Sequence, residues 1–234
     1  MLEIKDVQGW AMLDYFAGID DIQLLLHTSY GLPEDMPVEV FFRDLEDFTQ
    51  LEKIALENCK GAILDIGAAA GSFTLELQEK GLNVTALEIS SACCQIMRQR
   101  GITQVLEADI WTYNEKKYDT LLLIMNGIGL AGTLLKLPDF LKRLKDLMQP
   151  GGQIICDSSD INYLYEDLPK PENHYYGEIK YKYEYEGMEG DWFEWLYIDK
   201  DTLTDICAEH GLKIEVLYKN KQDQFLYKIT SKDY

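Results

Sequence analysis

Between Cys59 and Ser158 the apolar residues come in short runs separated by glycines and polar turns. "AILDIG", "LNVTALEI", "TQVLEADI", "YDTLLLIMN" and "QIICDSS" are each too short for a buried helix and read as strands. Between them the apolar spacing becomes helical. Ser72 to Lys80 forms one helix, with Gly81 suited to the left-handed position that ends it. Ser90 or Ser91 caps another, which stops at Gly101. Pro138 sits in the first turn of a helix with Phe140, Leu141, Leu144, Leu147 and Met148 on one face. Gly151-Gly152 then turns the chain into the fifth strand. Strands alternating with helices predict crossover units and a parallel sheet covered on both faces.

The C-terminal part departs from that rhythm. A short helix from Asp201 to His210 is closed by Gly211. "KIEVLY" and "QFLYKIT" follow, separated only by "KNKQD". Parallel neighbours need a crossover of about a dozen residues, so these two strands form an antiparallel hairpin.

Two regions lie outside the core. Residues 1–58 read as mainly helical, with Trp10, Leu13 and Phe16 at helical spacing. Residues 161–198 hold eight of the fifteen tyrosines, which concentrates amphipathic rings in one insertion. There Ile179, Tyr181, Tyr183 and Tyr185 alternate with Lys180, Lys182, Glu184 and Glu186, a period of two. "DWFEWLYI" repeats the alternation beyond "GMEG", predicting a second hairpin. The expected organisation is an N-terminal helical cap over 1–58 and a core over 59–234, with the 161–198 hairpin insertion as a lid.

Composition narrows the functional classes. With 47% hydrophobic and 27% charged residues in 234, the chain suits one globular domain with an appended lobe. "MLEIKDVQGW" lacks the apolar stretch of a signal peptide. The longest apolar run, Leu121 to Leu135, is broken by Asn126 and three glycines, so no membrane span is expected and a cytoplasmic protein is. Cys93 and Cys94 are neighbours while Cys59, Cys156 and Cys207 are scattered. With no C-x-x-C spacing they read as buried thiols, and no metal site is expected. A net charge of −19 repels phosphate backbones and anionic membranes, so nucleic acid is an unfavourable partner.

The stretch "ILDIGAAAGSF" places Asp65 and a loop of small residues at the end of the first strand. In an open parallel sheet, ligands bind beyond the carboxyl ends of the strands where strand order reverses. Small residues let the backbone approach a ligand, and the next helix offers unpaired N–H groups to a negative one. Glu88, 21 residues after Gly67, ends the second strand, where an acid accepts both hydroxyls of a ribose. Together these point to a nucleoside-containing cofactor. The dinucleotide fingerprint needs glycines at 67, 69 and 72, and the chain has Gly67, Ala69 and Ser72.

What the chain has is D-x-G-x-A-x-G from Asp65, "EADI" after the third strand, "YDTLLLIMN" as the fourth and "LMQPGGQII" before the fifth. In that order these resemble the class I S-adenosylmethionine-dependent methyltransferases, from about Cys59 to the end. The resemblance implies a Rossmann-like α/β fold: a seven-stranded, mostly parallel sheet with an antiparallel last strand and helices on both faces. Ala69 departs from the family's central glycine. By resemblance Gly67, Ala68, Ala69 and Gly71 line the methionine and ribose portions of S-adenosylmethionine, and Asp65 orients the loop or a water near its amino group. Glu88 binds the ribose and Ile89 packs on adenine. Asp109 accepts from the adenine amine, with Ile110 or Ala108 alongside, or else caps the next segment. Met125 and Asn126 face the methyl-transfer channel. Arg43 either meets the cofactor's carboxylate or makes a surface ion pair with Asp44, Glu46 or Asp47.

The implied activity is methyl transfer to a small-molecule nitrogen or oxygen by in-line displacement. Asn126 followed by "GIG" is not the N-P-P-[YF] signature of many amine-modifying nucleic-acid and protein methyltransferases. A protein or RNA methyltransferase is the alternative enzyme, and a cofactor-binding protein without catalysis the alternative class. His27 and His174, in the flanking regions, are candidate bases alongside non-catalytic roles, whereas His210 reads as a charge at a helix C-terminus. The aromatic hairpin would contact the methyl acceptor or, alternatively, form a homodimer contact.

Overall fold

The computed structural model describes residues 5–167 and 169–232; residues 1–4 of the stretch read for a leader lie outside them. The chain opens with α1 (Val7–Phe16), then β1 (Leu25–Thr28), β2 (Glu34–Asp35), a 3-10 turn over Val38–Phe41 and α2 (Gln50–Glu57). The core runs β3 (Ala62–Ile66), α3 (Ser72–Glu79), β4 (Asn83–Glu88), α4 (Ser91–Gln99), β5 (Val105–Glu107) and β6 (Tyr118–Leu123). It continues through a 3-10 turn at Gly127–Ala131, α5 (Leu137–Leu147) and β7 (Met148–Ser159). The insertion supplies β8 (Glu178–Tyr185), β9 (Met188–Glu189) and β10 (Phe193–Leu196), and α6 (Lys200–Glu209), β11 (Leu212–Lys219) and β12 (Gln224–Ser231) close the chain.

Seven strands form the main sheet in the order β11-β12-β7-β6-β3-β4-β5. From β3 the chain winds outward to β4 and β5, then returns to place β6 on the other side of β3. The order therefore reverses between β3 and β6, which sets the ligand crevice. Strands β3 to β7 pair in parallel, and β12 lies antiparallel to both β7 and β11. The fold class expected from the sequence is the one observed.

Successive residues of the central strands serve opposite faces. Leu64, Leu121, Leu123 and Ile154 join Phe140, Leu141 and Leu144 of α5 in one cluster. Ile63, Leu122, Ile155 and Leu226 join Leu51 and Ala55 of α2 and Phe73 and Leu77 of α3 in the other. Strands buried on both sides read as continuous apolar runs, which is why they were legible. Ser90 caps α4 by accepting from Cys93 N at 3.0 Å, and Asp199 caps α6. All five cysteines are buried. Among the described residues no helix is long and apolar enough to cross a membrane.

The N-terminal region corrects a helical expectation. It is helical in α1 and α2, but β1 pairs antiparallel with β8 of the insertion, Leu26 opposite Tyr183 and Thr28 opposite Tyr181. The tyrosine hairpin is thus the centre of a second sheet in the order β10-β8-β1-β2, with β9 against β8. Helix α1 ties this sheet to the core. Its cap, Asp6, accepts from Gly9 N at 3.0 Å and from Ser90 Oγ at 2.5 Å, while Asp14 accepts from Tyr185 Oη at 2.8 Å.

Candidate active site

Beyond the carboxyl ends of β3, β4 and β6 lies a cavity of about 520 Å³ walled by both sheets. The loop after β3 forms its floor. Gly67 (φ 72°) and Ala69 (φ 50°) are left-handed, and a Cβ on Gly67 would meet only Leu130 Cδ1 at 3.5 Å, so the cavity lies open before it. Gly67 N donates to Leu87 O at 2.8 Å, which holds the loop against β4.

Glu88 completes that hold. Its Oε2 accepts from Ala69 N at 2.9 Å, and its Oε1 from Ile89 N at 2.8 Å and Ser90 N at 2.9 Å. Burial raises its pKa against the opposing effect of these amides. Asp65, fully buried beneath the loop, accepts from Thr74 Oγ1 at 2.6 Å, and burial pushes its pKa up to about 6. Asp109 Oδ1 accepts from Trp111 N at 2.9 Å while the residue lines the cavity. Ile89 is 57% exposed although it follows a buried strand, and it too lines the cavity, as do Ile110 and Met125.

Several expected residues stand elsewhere. Gly71 does not line the cavity; it caps α3 with φ 81°, and a Cβ there would strike Ile102 and Met97. Asn126 turns away because its backbone is left-handed (φ 56°), and its Oδ1 accepts from Ser159 Oγ at 2.9 Å. His27 bonds Glu184 at 2.7 Å and lies between Leu26 and Thr28, hence on the sheet face opposite to theirs. His174 is exposed and does not line the cavity. Arg43 does reach the wall, yet its guanidinium grips Glu52 at 2.6 and 3.1 Å, and its Nε donates to Val40 O. None of the acids at 44, 46 or 47 is its partner.

Sequence reasoning missed part of the wall. Leu26, Met36, Val40 and Phe41 come from the N-terminal region, and Phe193, Trp195 and Tyr197 from the far arm of the hairpin. The alternation in "DWFEWLYI" was the signal for the latter. Arg100 was also missed: its Nη1 donates to Ala70 O at 2.6 Å and its guanidinium lies 5.4 Å from the Phe42 ring. It fastens the glycine loop to the N-terminal region.

A reversed strand order, a loop of small residues and an acid ending the next strand define a Rossmann-like protein built for a nucleoside cofactor. Comparison with known proteins carries this further. The family described as "Methyltransferase domain" matches residues 39–217. The fold is similar to that of a SAM-dependent methyltransferase from Bacteroides fragilis solved in complex with S-adenosyl-L-homocysteine. The two share 34% identity over 97% of this chain and 95% of that one, with a TM-score of 0.89. The chain belongs to the class I S-adenosylmethionine-dependent methyltransferase family. The CcbJ methyltransferase from Streptomyces caelestis shares the fold at 11% identity over 77% of this chain and 88% of that one, TM-score 0.61. So does a S-adenosylmethionine-dependent methyltransferase from Clostridium acetobutylicum ATCC 824, at 15% over 80% and 93%, TM-score 0.61. No curated protein matches the sequence.

Proposed function

We propose that the protein transfers a methyl group from S-adenosylmethionine to a nitrogen or oxygen of a small molecule, by in-line displacement. The observation that carries this is the double wall of the cavity. Loop and strand ends of the main sheet form one side, and Tyr181, Tyr183 and Trp195 of the second sheet form the other. A small acceptor fits between two such walls better than a folded macromolecule does, and the charge of −19 disfavours nucleic acid.

The residues present fit the cofactor. The backbone beside Gly67 has no side chain to obstruct a ligand, and Ala68 and Ala69 add only methyl groups there. Glu88 lines the cavity, and its Oε2, which accepts only from Ala69 N, keeps a lone pair that a ribose hydroxyl would use, while Oε1 is filled by the amides of Ile89 and Ser90. Ile89, Asp109 and Ile110 all line the cavity, where the two isoleucines would pack on adenine and Asp109 would accept from its amine. Asp65 acts through the loop above it, and Arg43 offers positive charge at the rim though shared with Glu52.

When bound, S-adenosylmethionine supplies a methyl group already activated on sulfonium. The protein's part is to hold a nucleophile in line and keep water out. Met125 and Leu130 add apolar surface to the lining, which suits a site that excludes water. Incubation with label in the donor's methyl group and a cell extract tests the proposal. Label should enter the dialysable fraction; label confined to protein or RNA would overturn it.

A further inference from the structure

The half of the cavity away from the glycine loop is a box of rings. Tyr181, Tyr183, Phe193, Trp195 and Tyr197 all line it. Tyr183 and Phe193 stack at 5.6 Å between centroids, and Tyr181 meets Tyr197 edge-on at 6.5 Å. The hydroxyls of Tyr181 and Tyr197 bond each other at 3.0 Å, so each of these polar tips already has a partner.

Each charged group of the cavity already has a partner within the protein. Arg43 is bound to Glu52, Asp65 to Thr74, Glu88 to three amides and Asp109 to Trp111 N. An anionic acceptor would find no unshared cation. Among the described residues no histidine, lysine or cysteine lines the cavity. An alcohol needs a base at the moment of attack, whereas an amine frees its lone pair by losing a proton to water. Burial raises the pKa of Tyr181 and of Tyr183, which keeps both neutral and unsuited to act as that base. Ring faces attract cations, and the charge of −19 draws them in from solution.

We infer that the methyl acceptor is an amine, and that the ring-lined half of the cavity is a site for the ammonium group the amine becomes. This rests on the methyltransferase reading above. In the step, the nitrogen lone pair forms the new N–C bond as the C–S pair returns to sulfur. A nitrogen that still carries a proton then releases it to water. The rings stabilise positive charge as it moves from sulfur to nitrogen, so they act on the transition state as well as on the product.

The test uses the whole protein saturated with S-adenosylhomocysteine, whose binding is measured first by calorimetry. Phenyltrimethylammonium, its uncharged isostere tert-butylbenzene and the anion phenylacetate are then titrated by tryptophan fluorescence. The cation should bind at least about tenfold more tightly than the isostere, and the anion should not bind. Trp195→Leu should reduce the cation's affinity several-fold and leave that of S-adenosylhomocysteine unchanged. Equal affinity for cation and isostere, preference for the anion, or no binding of any probe to the loaded wild type would overturn the inference. Those results decide even if the variant fails to fold. Failure of S-adenosylhomocysteine itself to bind would instead bring down the cofactor reading, and this inference with it.

Discussion

Trp195 packs so closely on Gly129 that a Cβ at 129 would overlap indole Nε1 and Cε2. The contact joins the second sheet to the turn that follows β6, beside cavity-lining Gly127. Gly129→Ala should therefore displace the indole. Overpacking of this kind costs about 1–3 kcal/mol of stability. Methyl transfer should fall sharply while affinity for S-adenosylhomocysteine holds, because Gly67 and Glu88 are untouched. Calorimetry and a transfer assay on the same preparation separate the two, and unchanged transfer would show that the position of the ring does not matter.

Glu88→Ala should weaken both cofactor binding and the fold. The carboxylate that would receive the ribose also satisfies three amides of the surrounding loops. Hydrogen bonds to a charged group contribute about 1.5–3 kcal/mol, so affinity should fall at least tenfold. In a chain of this length each kcal/mol lost lowers Tm by roughly 2–4 °C. Asp109→Ala, which removes one bond to Trp111 N, should cost less on both counts. Wild-type affinity in the Glu88 variant would remove the ribose role.

The parts of the site that were legible depend on local rules. A buried parallel strand ending in glycine announces itself, and the strand-end acid follows at a fixed distance. What escaped depends on pairings between distant segments. Ile22, Leu24, Leu26 and Thr28 alternate as a strand should, but Leu25 blurs the pattern, and nothing in the sequence pairs Leu26 with Tyr183. His27 was a candidate base by its region alone; strand parity then turned it to the other face. Asn126 was placed by strand order, yet its left-handed backbone decides where the amide goes. Arg43 had three acids beside it in sequence and bonded a fourth, Glu52, which also closes the capping box of α2 with Thr49.

Ala69→Gly should stabilise the protein slightly and spare cofactor binding. At φ 50° alanine bears a left-handed penalty of roughly 1–2 kcal/mol that glycine avoids. Glycine's greater freedom in the unfolded chain takes back about 0.4–1 kcal/mol. The amide that donates to Glu88 is retained, and a methyl group leaves the cavity wall. A Tm raised by roughly 1–4 °C, with affinity equal or higher, is the expected result. A lower Tm would mean that the methyl group packs usefully in the folded loop.

Asp157 gives the fold a pH dependence with a definite sign. It is fully buried at the end of β7, where Oδ1 accepts from Gly127 N at 3.2 Å and Oδ2 from Gln224 Nε2 at 2.9 Å. Burial outweighs those bonds and pushes its pKa from 3.8 up to about 6. Between those values the folded chain holds a proton that the unfolded chain has lost. Stability therefore rises as pH falls through 6 and levels off below about 4. Asp157→Asn removes that titration and leaves Asp65, which shifts in the same direction, as the common background. Urea denaturation of both proteins from pH 7 to pH 4 should show the wild type gaining on the variant by on the order of 2 kcal/mol, mostly between pH 6 and pH 4. A difference that stays constant across that range would mean that Asp157 is ionised in the folded protein throughout. The amides of Asn126 and Gly127 would then be holding a full negative charge beside the cavity that Gly127 lines.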